Sequence, residues 1–160
     1  MILKGLIDTD IVNYKKTSMV LEFPFCSFKC DKECGQQVCQ NSALATAPII
    51  DVDIDDVIQR YIDNPMTEAI VCQGLEPFDS WKDLCNFIID FRTLYRRDDD
   101  IVIYTGYNKE EVKDKIDVLW HFFPNIIVKF GRYVPGQQPH YDELLGVNLA
   151  SDNQYAEKIC

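Results

Sequence analysis

The sequence predicts an α/β fold: a mainly parallel sheet bent as a partial (βα) barrel, with a cysteine loop directly after the first main strand. Three observations carry this. Short apolar runs alternate with helical repeats along the chain, which implies parallel strands joined by right-handed crossovers. Nearly half of the 160 residues are hydrophobic, enough for one sizeable core. Of seven cysteines, at positions 26, 30, 34, 39, 72, 85 and 160, four lie within fourteen residues.

The elements follow in order. Ser18–Phe23 is an apolar run with large side chains, read as a strand, and the cysteine loop leaves its end. Ile54, Val57, Ile58, Tyr61 and Ile62 recur at helical spacing, with Asp53 as N-cap and Asn64-Pro65 as the stop. Residues 69–72 form a brief buried strand. Trp81, Leu84, Cys85, Ile88, Ile89 and Tyr95 mark one face of a longer helix that begins near Ser80. Residues 101–104 make the next strand. Asn108 and Glu111 have capping-box spacing, and Val112, Ile116 and Leu119 give the following helix its apolar face. Residues 126–129 are another strand. Trp120, Phe122 and Phe123 are expected in the core, and the run Asp98, Asp99, Asp100 in a solvated turn. Cys72 and Cys85 read as small core residues, Cys160 as frayed and idle. His121 and His140 receive no ligand or acid–base role.

Composition limits the function. The formal net charge of −10 leaves no basic patch of the kind phosphate contacts demand, so nucleic acid is not expected as a partner. No segment approaches the roughly 18 consecutive apolar residues of a membrane span, and the acidic start of the chain does not read as a signal peptide. A cytoplasmic single domain over residues 1–160 is expected. An odd number of clustered thiols without an export signal points to metal binding or redox work, not to a disulfide framework. Thiolates suit both iron–sulfur clusters and zinc. Four cysteines would close a cluster for electron transfer; three would leave one iron open to a substrate, as catalytic zinc keeps a free position. Spacing alone leaves zinc and cluster both open.

In a parallel sheet, ligands gather beyond the carboxyl ends of the strands. The cysteine loop, residues 73–77 and Thr105-Gly106-Tyr107 each follow a strand there. They are expected to converge.

Several segments carry a resemblance. Asp10-Ile-Val-Asn13 precedes a strand and then Cys26-x3-Cys30. Cys39-Gln40-Asn41, Gly74-Leu-Glu-Pro77, Ile103-Tyr-Thr-Gly-Tyr107, Lys129-Phe-Gly-Arg-Tyr133 and Ala150-Ser-Asp-Asn-Gln154 follow in order. Together, over nearly the whole chain, they resemble the anaerobic ribonucleoside-triphosphate reductase activating proteins, small members of the radical S-adenosylmethionine superfamily. The family motif is C-x3-C-x2-C, with Cys-Tyr-Asn at the third cysteine. Here residues 31–38 are an insertion if Cys39 is the third ligand, leaving Cys34 free or as a fourth. If Cys34 is the third, the motif becomes C-x3-C-x3-C. Gln40 replaces the usual Tyr, and Leu75 the second Gly of a Gly-Gly-Glu-Pro motif.

The resemblance implies that Cys26, Cys30 and Cys39 are the catalytic cysteines and hold three irons of a 4Fe–4S cluster, while S-adenosylmethionine chelates the fourth through its amino and carboxylate groups. An electron donor such as flavodoxin or ferredoxin reduces the cluster. Cleavage then yields methionine and a 5′-deoxyadenosyl radical, which takes a hydrogen atom from a backbone glycine of the large subunit of anaerobic ribonucleotide reductase. Glu76 is implied as acceptor for the methionine ammonium, Gly74 as a point of close backbone approach, and Val38 and Gln40 as neighbours of the adenine. A radical enzyme acting on a small molecule and a structural zinc module are the alternatives.

Overall fold

A computed structural model describes residues 1–160. The strands are β1 (Ile2–Leu3), β2 (Gly5–Asp10), β3 (Ser18–Phe23), β4 (Ile50–Asp51), β5 (Ala69–Gly74), β6 (Asp100–Tyr104), β7 (Ile126–Phe130), β8 (His140–Asp142), β9 (Val147–Leu149) and β10 (Tyr155–Lys158). The helices are α1 (Lys29–Cys34), α2 (Ser42–Thr46), α3 (Ile54–Asp63), α4 (Trp81–Thr93) and α5 (Lys113–Phe122), with 3-10 turns at Pro77–Ser80 and Lys109–Val112 leading into α4 and α5.

Six strands form the central sheet in the order β10-β7-β6-β5-β3-β2. The four inner strands β3, β5, β6 and β7 are parallel; β2 and β10 run antiparallel at the edges. The fold is therefore α/β with a mostly parallel sheet. From β3 to β7 the chain always steps to the next strand in the same direction. Right-handed crossovers that never reverse direction place their helices on one face. Accordingly α3, α4 and α5 all join one core with the sheet, built around Leu21, Cys72, Ile103 and Val128.

The other face changes character along the strands. Side chains alternate between faces, and the register aligns Val20, Val71, Val102 and Ile127 in one row. Tyr14, Leu145 and Leu149 cover that row. Two residues on towards the carboxyl ends, the same face carries Glu22, Gln73, Tyr104 and Lys129. Apolar packing stops where the site begins.

Local signals behave as their chemistry requires. The Asp53 carboxylate caps α3, accepting from the Asp55 amide at 2.8 Å. The Asn108 amide donates to Glu111 Oε2 at 2.8 Å, so the glutamate side chain reaches back as a capping box demands. Four expectations need correction. Trp120 and Phe122 are 60% and 71% exposed, not core; they sit off the stripe of α5 set by Ile116 and Leu119, and of the three aromatics only Phe123 packs against the core. Asp100 is no solvated turn residue: it opens β6 and accepts from Tyr14 (3.0 Å) and Lys16 (2.5 Å). Cys160 packs against the helical core, and its thiol reaches the Phe123 carbonyl. Cys85 is only half-buried, whereas Cys72 is fully enclosed. No helix is long and apolar enough to cross a membrane.

Candidate metal centre

The loop between β3 and β4 carries Cys26, Cys30, Cys34 and Cys39. Neither α1 nor α2 within it buries a residue, so apolar packing does not hold these two helices in place. Polar contacts hold the loop. The Asp31 carboxylate accepts from the amides of Val38 and Cys39, both at 2.8 Å, and the Cys30 thiol points to the same oxygen at 3.7 Å. One carboxylate thus folds residues 31–38 back on themselves and returns Cys39 to Cys30 across the longer spacing. Gly35, at φ +68°, ends α1 in the left-handed conformation this reversal needs.

Cys26, Cys30 and Cys39 are half-buried, and Cys34 is exposed. Cys39 stands within electrostatic reach of both Cys26 and Cys30. Burial raises Cys26 to about 11, with Glu76, Asp79 and Cys39 adding negative field. Burial likewise raises Cys30 to about 12, with Cys39 next in importance. Thiols so placed ionise only when a cation compensates them, as a bound metal does. The Phe28 amide donates to Cys26 Sγ at 3.2 Å, a contact of the kind that tunes sulfur ligands. By their chemistry these thiols suit an iron–sulfur cluster, although no three ligating side chains already converge on one ion position.

The remaining segments close around these cysteines. Asn41 Nδ2 donates to the Gly74 carbonyl at 2.7 Å, tying the cysteine loop to the end of β5. Gly74 has φ +101°, and a Cβ there would stand 2.7 Å from the Phe23 amide, so only glycine lets β5 end against β3. A cavity of about 290 Å³ opens between the loop and the strand ends, lined among others by Cys30, Cys39, Gln40, Gly74, Tyr104 and Lys129. The cysteine loop, residues 73–75 and Thr105-Gly106 do converge on it.

Glu76 lies beneath this lining, 3% exposed. Its Oε1 accepts from the Phe78 amide at 3.1 Å and Oε2 from the Gly106 amide at 2.9 Å, joining the β5 and β6 loops. Burial raises it to about 7 against the pull of those donors. Val38 is half-buried in the loop wall, outside the lining.

A second set of residues anchors the loop from outside, and sequence reasoning, which saw in Glu111 only a cap and in Tyr107 only part of a converging segment, did not foresee it. The Ser27 amide donates to Asp79 Oδ2 at 2.8 Å, and Tyr107 donates to Asp79 Oδ1 at 2.7 Å. Lys29 Nζ stands 4.7 Å from the centroid of the Tyr107 ring and the Arg132 guanidinium 5.9 Å from it. Glu111 Oε1 then joins Lys29 (3.0 Å) to Arg132 (2.6 Å). These partners come from distant segments, so no local pattern announced them.

Residues 17–143 match the model of the family described as the 4Fe-4S single cluster domain. The chain belongs to that family. It is an iron–sulfur protein, and of the two metals its thiols left open the family selects the 4Fe–4S cluster over zinc. Neither the curated proteins nor the solved structures contain a match to it.

Proposed function

We propose that this iron–sulfur protein is a radical S-adenosylmethionine enzyme, a single domain over residues 1–160 whose sheet curves as a partial (βα) barrel. In this reading it works in the cytoplasm as an activator, generating a glycyl radical on the large subunit of anaerobic ribonucleotide reductase. Flavodoxin or ferredoxin serves as electron donor. The observation that carries the reading is the meeting of Cys30 and Cys39 with the ends of β5, β6 and β7 around one cavity, with Cys26 outside its lining but within electrostatic reach of Cys39.

Cys26, Cys30 and Cys39 are the catalytic iron ligands, and Cys34 stays free in solvent. When bound, the cluster supplies the electron that splits S-adenosylmethionine into methionine and a 5′-deoxyadenosyl radical. The chain binds and orients the cofactor. Gln40 and Val38 border the adenine. The Gly74 backbone allows the methionine end to approach, and Glu76 accepts from its ammonium with the lone pairs that Phe78 and Gly106 leave open. At about 290 Å³ the cavity is near the lower end of small-molecule sites, about 300 Å³. It suits a cofactor better than a cofactor together with a second small substrate.

A protein target is further supported by Ile11 and Val12, 76% and 70% exposed. Val12 borders the cavity, so an incoming protein loop would find an apolar lip there and would exclude water from the radical. The test mixes reduced, cluster-loaded protein with S-adenosylmethionine and the reductase without oxygen. A glycyl doublet in electron paramagnetic resonance is expected. Release of 5′-deoxyadenosine with a small molecule and no doublet would move the target to the small-molecule class.

A further inference from the structure

The acid inside the cysteine loop is placed where its charge opposes a thiolate. Asp31 follows Cys30 directly, and its Oδ1 lies 3.7 Å from the Cys30 sulfur. The same oxygen accepts from the Val38 and Cys39 amides. Both donors are neutral, and Asp31 takes part in no ion pair. The cations beside the loop are engaged elsewhere: Lys29 pairs with Glu111, and Arg132 with Glu111 and Glu33. The carboxylate charge is therefore uncompensated next to the Cys30 sulfur, at a range where like charges repel. Folding the loop does not require that charge, because an asparagine oxygen would accept from the same two amides. The amides of Val38 and Cys39 are also drawn to Asp31, whereas the Phe28 amide donates to Cys26 Sγ.

We propose that Asp31 is a positioning residue of the cluster site with two separable actions: it holds Cys39 in place as the third ligand, and its charge keeps the reduction potential low. This rests on the reading of Cys26, Cys30 and Cys39 as the iron ligands. The sign follows from charge. Net charge and hydrogen bonds to the sulfurs set the potential of such a cluster. A fixed negative charge beside one sulfur disfavours the added electron. A lower potential makes the reduced cluster a stronger electron donor, which cleavage of S-adenosylmethionine uses. The spacing of 31–38 thus brings a charge into the site together with the eight residues that separate Cys30 from Cys39.

The experiment is a potentiometric titration of reconstituted protein without S-adenosylmethionine, read by electron paramagnetic resonance, with iron and sulfide analysis. Wild type, Asp31→Asn and Asp31→Ala are compared at matched circular dichroism. Asp31→Asn is expected to keep its iron and to move the midpoint to a more positive potential. Asp31→Ala is expected to lose most of its iron, because nothing then returns Cys39. Full iron and an unchanged signal in Asp31→Ala overturn the positioning action. An unchanged or more negative midpoint in Asp31→Asn overturns the electrostatic one. Should Asp31→Asn not hold iron, Asp31→Ser, a second neutral acceptor, carries the comparison. Loss of iron from both overturns the proposal, since the charge would then favour the cluster. Iron kept by Cys39→Ala and lost by Cys34→Ala refutes the ligand reading itself, an outcome distinct from failure of the Asp31 assignment.

Discussion

The two faces of the central sheet are covered by opposite means. On the helical face, a core of 23 buried residues runs without interruption from Leu3 to Ile159. On the other, a group of eight ends at the row Val20, Val71, Val102 and Ile127, and the next row is polar. The first face supplies the free energy of folding. The second gives up burial at the carboxyl ends, where Gln73, Tyr104 and Lys129 meet the cysteine loop. Stability and chemistry are thus separable by face, and substitutions can break that separation or sharpen it.

The largest effect falls in the cysteine loop. Cys39→Ala is expected to lose the cluster, with iron falling from about four per chain to a small remainder. Cys34→Ala is expected to keep it. Iron and sulfide analysis after anaerobic reconstitution reads both, and the reverse outcome would transfer the third ligand to Cys34.

Next comes the helical face. Phe87, fully buried in α4, is expected to cost about 3–5 kcal/mol on truncation to alanine, measured by denaturant unfolding. Tyr104→Phe on the cavity side removes only the bond from its hydroxyl to the Asn13 carbonyl, worth about 1 kcal/mol. Equal losses would erase the contrast between the faces.

The outer anchor of the loop is pH-sensitive. The hydrogen bond from Arg132, ahead of the Asn108 amide and Lys29, holds Glu111 down at about 2. A carboxylate with a lowered folded pKa stabilises the fold above its unfolded value, near 4.5, and that stabilisation is lost as pH falls towards 2. Glu111→Gln is therefore expected to cost about 1–3 kcal/mol at neutral pH and to flatten the acid limb of the stability curve. The smallest effect belongs to the exposed aromatics. Trp120→Ser is expected to stay within about 0.5 kcal/mol, and a loss of several would mean that Trp120 is buried after all.

These contrasts also explain what was legible in the sequence. β3, β5, β6 and β7 were readable because parallel strands buried on both faces give continuous apolar runs, and α3 to α5 because each turns one stripe to the sheet. β2, β8, β9 and β10 are short or lie at an edge, where exposed or half-exposed polar residues such as Thr9 and Glu157 hide the pattern. α1 and α2 bury nothing, so periodicity had no signal to offer. Trp120 and Phe122 misled because size was taken for burial. At the site, cysteine spacing pointed to the loop but left the third ligand open, since the return of Cys39 depends on the Asp31 carboxylate. Lys129 left a readable trace, a lone cation inside the apolar run Ile-Ile-Val-Lys-Phe. The Tyr107, Glu111 and Arg132 contacts left none, because each joins residues far apart in the chain.

The central claim is that three cysteines leave one iron open for S-adenosylmethionine. It is tested most directly by electron paramagnetic resonance of the reduced, reconstituted protein before and after S-adenosylmethionine is added. The account predicts a cluster signal that changes in g-values on addition, followed by methionine and 5′-deoxyadenosine in equal amounts. A reduced cluster whose signal does not change, with no cleavage products, would contradict it and leave an iron–sulfur protein confined to electron transfer.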